Sequence, residues 1–118
     1  MILVDTSVWI DHLRNGNAEL TVLLQQDEVL THPFIIGELA CGTLRNRTEI
    51  LRLLRELPEA RLAEHQEALG LLESRRLWGC GIGWIDVHLL ASALLSHSTV
   101  WTLDKQLSEV ASSLKLRK

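Results

Sequence analysis

Few cysteines, no long apolar run and no surplus of positive charge set the first limits on this chain. Cys41 and Cys80 stand apart, without the spacing of a metal site or a redox pair, so free, buried thiols are expected. No apolar run approaches the about 20 residues that span a bilayer. The N-terminal apolar run has no basic stretch and breaks at Asp5, unlike a signal peptide, so a cytoplasmic protein without membrane association is expected. A net charge of −3 excludes a protein that coats nucleic acid by charge alone, but not a nuclease whose acidic site adds negative charge. No repeat, low-complexity tract or linker interrupts the chain. No G-x-S-x-G elbow or H-E-x-x-H pair is present, and no glycine-rich dinucleotide fingerprint follows the first apolar run. His12, His32, His65, His88 and His97 therefore read as surface or satisfied core residues, His88 being set apart by its place two residues past Asp86.

At 118 residues and 47% hydrophobic content, the chain suits one domain over residues 1–118, with helices covering a buried sheet. Residues 2–4 form a continuous β-rich run, as in a central parallel strand buried on both faces. A short helix over 7–14 follows, with Thr6 or Ser7 as caps and Asn15-Gly16-Asn17 as its stop. Further helices are expected over 18–26, 34–44, 47–57, 64–75, 84–95 and 105–114, with strands at 29–30, 61–63 and 99–103. In the 47–57 helix, Ile50, Leu53, Leu54 and Leu57 define the apolar face. Short strands alternating with helices predict an α/β fold: a three-layer α/β/α sandwich on a central parallel sheet of Rossmann-like topology.

Four acids sit where that fold makes them conspicuous. Asp5 and Asp104 each end a short apolar strand, at the carboxyl edge where open parallel sheets bind ligands. Either alone reads as a routine helix cap, worth ~1 kcal/mol. Thr6 and Ser7 leave Asp5 less needed for that purpose. Glu38 has Phe34, Ile35, Cys41 and Gly42 as its helical neighbours, and Asp86 shares its helix row with Leu89 and Leu90. An unpartnered carboxylate among apolar neighbours is costly. Converging carboxylates repel one another unless a divalent cation joins them, and hard oxygen donors suit Mg²⁺ or Mn²⁺. In that reading Asp5, Asp86 and Asp104 are metal ligands, and Glu38 orients or deprotonates the attacking water. Basic residues at Arg45, Arg47, Arg52 and Arg55, at Arg75 and Arg76, and at Lys115, Arg117 and Lys118 read first as solvated helix faces. Trp9, Trp78, Trp84 and Trp101 are candidates for stacking on RNA bases, although core or dimer anchoring is the commoner use of tryptophan.

The segments Val4-Asp5-Thr6-Ser7-Val8-Trp9-Ile10, Gly37-Glu38-Leu39, Ile85-Asp86 and Thr102-Leu103-Asp104, in this order, resemble the PIN-domain nucleases. The short chain looks most like the VapC toxins of type II toxin–antitoxin systems. The resemblance implies a Mg²⁺- or Mn²⁺-dependent endoribonuclease that cuts tRNA or ribosomal RNA and arrests translation. It also implies a homodimer and a cognate VapB-like antitoxin that covers the active-site groove and, in complex, binds promoter DNA. Asp5, Glu38, Asp86 and Asp104 correspond to the family's acidic quartet, and Thr6 or Ser7 to its accompanying hydroxyl. Leu107 stands where many relatives carry a further acid or asparagine, which bears on a second metal rather than the first. The alternatives are a non-toxin PIN nuclease in RNA processing and a degenerate PIN-like binding module. A receiver domain or a haloacid-dehalogenase-like phosphatase would need a second acid beside or near Asp5, where Thr6 and Ser7 stand.

Overall fold

The computed structural model describes residues 1–118. Three short strands, β1 (Ile2–Val4), β2 (Val29–Leu30) and β3 (Thr99–Trp101), form a parallel sheet in the order β2-β1-β3. In this register Val4 lies beside Trp101 and Leu3 beside Leu30. Leu3, Val4, Val29 and Val100 are fully or almost fully buried, as a central sheet covered on both faces requires.

Seven helices complete the fold: α1 (Thr6–Asn15), α2 (Ala18–Gln25), α3 (Pro33–Cys41), α4 (Arg47–Glu56), α5 (His65–Ser74), α6 (Trp84–Leu95) and α7 (Lys105–Ser113). Their starts follow local chemistry. Asn17 accepts the Leu20 N–H at 2.9 Å at the start of α2. Pro33 occupies the first turn of α3, where a missing N–H costs nothing, and His32 Nδ1 accepts the Phe34 N–H at 3.0 Å. Helix α6 is buried from Val87 to Ala93, in keeping with its nearly all-round apolar sequence.

Four expectations need correction. No strand forms over 61–63; the sheet edge is extended instead by a single parallel bridge between Thr31 and Glu59. The 61–63 backbone pairs with helix α6 and its C-cap: the Arg61 N–H donates to Ser96 Oγ at 2.9 Å and the Ala63 N–H to Ser92 Oγ at 3.0 Å. Helix α3 stops at Cys41 rather than at residue 44, since the Gly42 N–H turns back to the Leu39 carbonyl. In α4 the buried pair is Leu51 and Leu54, while Leu53 is exposed, so the apolar face is rotated by about one position. Cys41 and Cys80 are free as expected but exposed, because Cys41 ends α3 and Cys80 lies in the loop before α6 rather than in the core.

Ser92 is fully buried and satisfies an otherwise unpaired backbone N–H, so Ser92→Ala should cost about 1–3 kcal/mol. Urea unfolding should show a lower midpoint with unchanged slope. Ser96→Ala should cost less, because Arg61 is exposed and water can replace the lost partner.

Candidate active site

The strand register brings the ends of β1 and β3 together. The Asp5 N–H donates to the Trp101 carbonyl at 2.9 Å, which carries the β1–β3 pairing one step past the strands. Asp5 is 7% exposed and stands immediately before α1, yet its side chain makes no capping bond to that helix. Its Oδ2 instead accepts two hydroxyls, from Ser7 at 2.8 Å and from Thr102 at 2.7 Å. Each hydroxyl has one proton and spends it on Asp5, so the 3.2 Å approach of Ser7 Oγ to Thr102 Oγ1 is a contact rather than a third bond. As acceptors, the same hydroxyls take the Leu103 N–H at 2.9 Å and the Asp104 N–H at 3.0 Å.

Thr6 and Ser7 are thus not the caps expected of them. Thr6 Oγ1 donates to Glu38 Oε1 at 3.3 Å, across from α1 to α3. Asp104 is a genuine cap: its Oδ1 accepts the Leu107 N–H at 2.9 Å and starts α7. Asp86 Oδ2 accepts the Gly83 N–H at 3.0 Å in the first turn of α6. Asp5, Asp86 and Asp104 are therefore each anchored through one carboxylate oxygen. Asp5 Oδ1, Asp86 Oδ1 and Asp104 Oδ2 have no hydrogen-bond partner within the chain, and neither does Glu38 Oε2.

The acids act on one another electrostatically. Partial burial is the main cause that raises Asp86 from its ordinary value; the Gly83 N–H opposes it, and the charges of Asp5 and Asp104 add to it. Glu38 is also raised, first by desolvation, with the Thr6 hydroxyl opposing and Asp5 and Asp86 adding. The four expected acids thus stand at one edge of the sheet, near enough for Asp5 and Asp86 to act on Glu38 and for Asp5 and Asp104 to act on Asp86. They are not packed into a closed cage: no three His, Cys, Asp or Glu side chains stand close enough, in these rotamers, to ligate a single ion.

The PIN-domain family model matches residues 2–113, nearly the whole fold just described. The chain belongs to the PIN-domain family. It is 49% identical over 108 residues to ribonuclease VapC32 of Mycobacterium tuberculosis, in strain CDC 1551 / Oshkosh and in strain ATCC 25618 / H37Rv. The aligned stretch covers 91% of this chain and 87% of that protein. On that identity this PIN domain falls in the VapC ribonuclease branch.

Thr102, present in the sequence reading only as part of the Thr102-Leu103-Asp104 segment, is a further candidate site residue. It is buried and links Asp5 to Asp104, and its only sequence signal was its place between an apolar run and an aspartate. Leu107 is buried in the core of the PIN domain, with its N–H on Asp104 and no polar group to offer the site. His32 and His88 are core rather than surface histidines, and His32 is only half satisfied: its Nδ1 accepts the Phe34 N–H while its Nε2 has no partner.

An acid whose pKa is raised by folding binds its proton more tightly in the folded chain. Its effect on stability is therefore absent below the ordinary pKa and becomes a growing cost as pH rises through the shifted value. Glu38→Gln removes that cost while keeping an acceptor for Thr6. At neutral pH without divalent cations it should raise Tm, by less than about 4 °C since partial exposure screens the repulsion. The gain should vanish below the normal glutamate range. Asp86→Asn is a poorer test, because it also loses a favourable negative charge in the first turn of α6, worth ~0.3–1 kcal/mol. Calorimetry across pH measures both.

Proposed function

We propose that this PIN domain is a Mg²⁺-dependent endoribonuclease, with Mn²⁺ able to substitute, and the toxin of a type II toxin–antitoxin pair. The observation that carries this reading is the convergence of Asp5, Glu38, Asp86 and Asp104, from four separate elements, on one edge of the sheet. The donor chemistry suits the ion: each of the three carboxylates has one oxygen committed internally and one free, and a hard cation that keeps several waters needs only one or two of them directly, reaching the rest through those waters. Asp5, Asp86 and Asp104 would hold it. A divalent ion there supplies Lewis-acid chemistry, acidifying water and offsetting charge that develops on phosphate.

The chain's own groups do the rest. Glu38, with its proton affinity raised, is the general base that takes a proton from the attacking water as the water oxygen bonds to phosphorus and the bridging P–O bond breaks. Thr6 aims Glu38 by its bond to Oε1, which leaves Oε2 for that proton. Ser7 and Thr102 hold Asp5, and Thr102 also ties in the Asp104 backbone.

The expected targets are tRNA or ribosomal RNA, and their cleavage would arrest translation in the cytoplasm. The ribonuclease name of the VapC32 relative supports the RNA substrate and the toxin role. No helix is long and apolar enough to cross a membrane. A groove of about 630 Å³ between α1, α3 and the start of α4 runs up to Glu38. Ile10, Leu13, Leu39, Leu44 and Ile50 give it an apolar lining, with Arg14 and Arg45 beside them. That mixture suits the C-terminal segment of a VapB-like antitoxin, laid across the groove with its acidic groups on the arginines. The toxin would act as a homodimer, and the toxin–antitoxin complex would bind promoter DNA.

Purified protein should cleave RNA with Mg²⁺ and stop in EDTA. Asp5→Asn and Asp104→Asn should each lose on the order of 10²-fold or more in rate, and Thr102→Val about 10- to 100-fold as a supporting residue. Added Mg²⁺ should raise the Tm of the wild type more than that of Asp5→Asn. Sequencing RNA 5′ ends after brief induction, against Asp5→Asn, would identify the target. Cleavage that persists in EDTA, or a Tm indifferent to Mg²⁺, would overturn the proposal.

A further inference from the structure

Beside the acids lies a row of rings that the proposed chemistry does not use. Phe34, in the first turn of α3, packs on buried His32 with ring centroids 5.0 Å apart and on His88 at 5.2 Å. His88 meets Trp84 at 4.8 Å and a right angle, and Trp84 meets His65 at 5.2 Å. The row thus bridges the N-terminal turns of α3 and α6, the helices that carry Glu38 and Asp86. Phe34 precedes Glu38 by four residues, so the two share a helix face about 5–6 Å apart at Cβ.

The outer rings of this row are open. Phe34 and Trp84 are 40% and 39% exposed, above buried His32 and His88. Interplanar angles between 48° and 90° mean that no ring in the row is covered by a parallel neighbour. Burial, and then the neighbouring imidazole of His88, pushes His32 down to about 4, so the ring behind Phe34 is neutral at physiological pH. Phe34 and Trp84 themselves carry no charge, so their exposed faces offer aromatic area rather than cations for phosphate, next to carboxylates that repel phosphate. The other tryptophans differ: Trp9 is buried, Trp101 lies under the Lys118 ammonium, and Trp78 stands on the loop before α6 outside the row.

We propose that Phe34 and Trp84 form a shelf on which an unpaired base of the RNA strand stacks, beside the acidic site. The shelf rests on the nuclease reading and adds to it how the strand is held. A base offers an uncharged π-face to an uncharged ring, so this contact favours single-stranded segments and tolerates any base. Stacked there, a nucleotide would bring the neighbouring phosphodiester towards Glu38 and Asp86.

The test is binding without turnover. Asp5→Asn protein is titrated against a short, unstructured, fluorescein-labelled oligoribonucleotide, read by anisotropy. Phe34→Ala and Trp84→Ala are added in that background, with Trp84→Phe as the conservative variant and Leu94→Ala, exposed elsewhere on α6, as control. Each alanine should weaken binding by roughly 5- to 150-fold, while Trp84→Phe keeps most of the affinity and Leu94→Ala all of it. An oligomer made abasic throughout should bind wild-type shelf and alanine variants alike, since the lost partner is the base. Equal weakening of normal and abasic RNA would overturn the shelf. So would alanine variants that sediment at a lower mass than the parent, which would make the row a subunit contact. If the wild type cleaves RNA but the alanine variants bind normally, the shelf falls and the nuclease stands. If the wild type neither cleaves nor binds RNA, the nuclease reading falls first.

Discussion

Two hydroxyl protons hold Asp5 in place, and the geometry of the whole acidic edge depends on that clamp. Ser7 belongs to the first turn of α1 and Thr102 to the residue after β3, so the clamp joins parts of the chain 95 positions apart. It closes only when β1 and β3 pair in the observed register, with Val4 beside Trp101. A slip of one residue would turn every side chain on the strand to the opposite face and carry Asp5 away from Thr102. The buried pairing of Leu3 and Val100 guards against that slip, because both are excluded from water only in this register. Core packing thus sets the position of the first carboxylate, and the same threonine passes that position on to the backbone of Asp104.

Anchoring has an electrostatic consequence. Each aspartate that gives one oxygen to a hydroxyl or a backbone N–H loses the freedom to swing away from its neighbours, so their repulsion persists in the folded chain. Asp86 partly offsets this through the helix N-terminus at which it sits, and Asp104 through its capping bond to α7. Glu38 has neither aid. It lies beyond the first turn of α3, held by a single 3.3 Å hydroxyl bond, and both desolvation and two like charges raise its proton affinity. The group least supported as an anion is thus the one best suited to accept a proton. The role as a base proposed for it and its cost to stability have the same origin.

The sheet, the buried helix α6 and the placing of lone acids at one sheet edge were legible because each leaves a local pattern: a three-residue apolar run, an all-round apolar helix, a lone acid among apolar neighbours. What was not legible depends on partners distant in the chain. Thr6 and Ser7 look like caps by position, but their bonds go to Glu38 and to the clamp around Asp5, Thr6 reaching 32 residues along the chain. Residues 61–63 look like a strand, but the Arg61 and Ala63 N–H groups go to Ser96, the C-cap of α6, and to Ser92 within it, some 30 residues later. The phase of α4 failed for a different reason. Ile50 and Leu54 belong equally to a face completed by Leu51 or one completed by Leu53, and only packing against the core decides between them.

Helix α3 divides two surfaces that both end at the acids. Leu39 and Gly42 line the groove towards α1 and α4, Phe34 faces His88 on α6, and Glu38 belongs to the groove lining while sharing a helix face with Phe34. A peptide segment filling the groove would reach the acidic site from one side, and a strand resting on Phe34 from the other. Because the two would approach a common centre, a partner need not cover the aromatic row to stop cleavage. It would need only to bring a positive group to the carboxylates, where that charge would relieve the same repulsion that the proposed divalent ion would relieve. Inhibition and metal binding would then compete for one electrostatic well, so the acids that make the site reactive would also make it easy to silence.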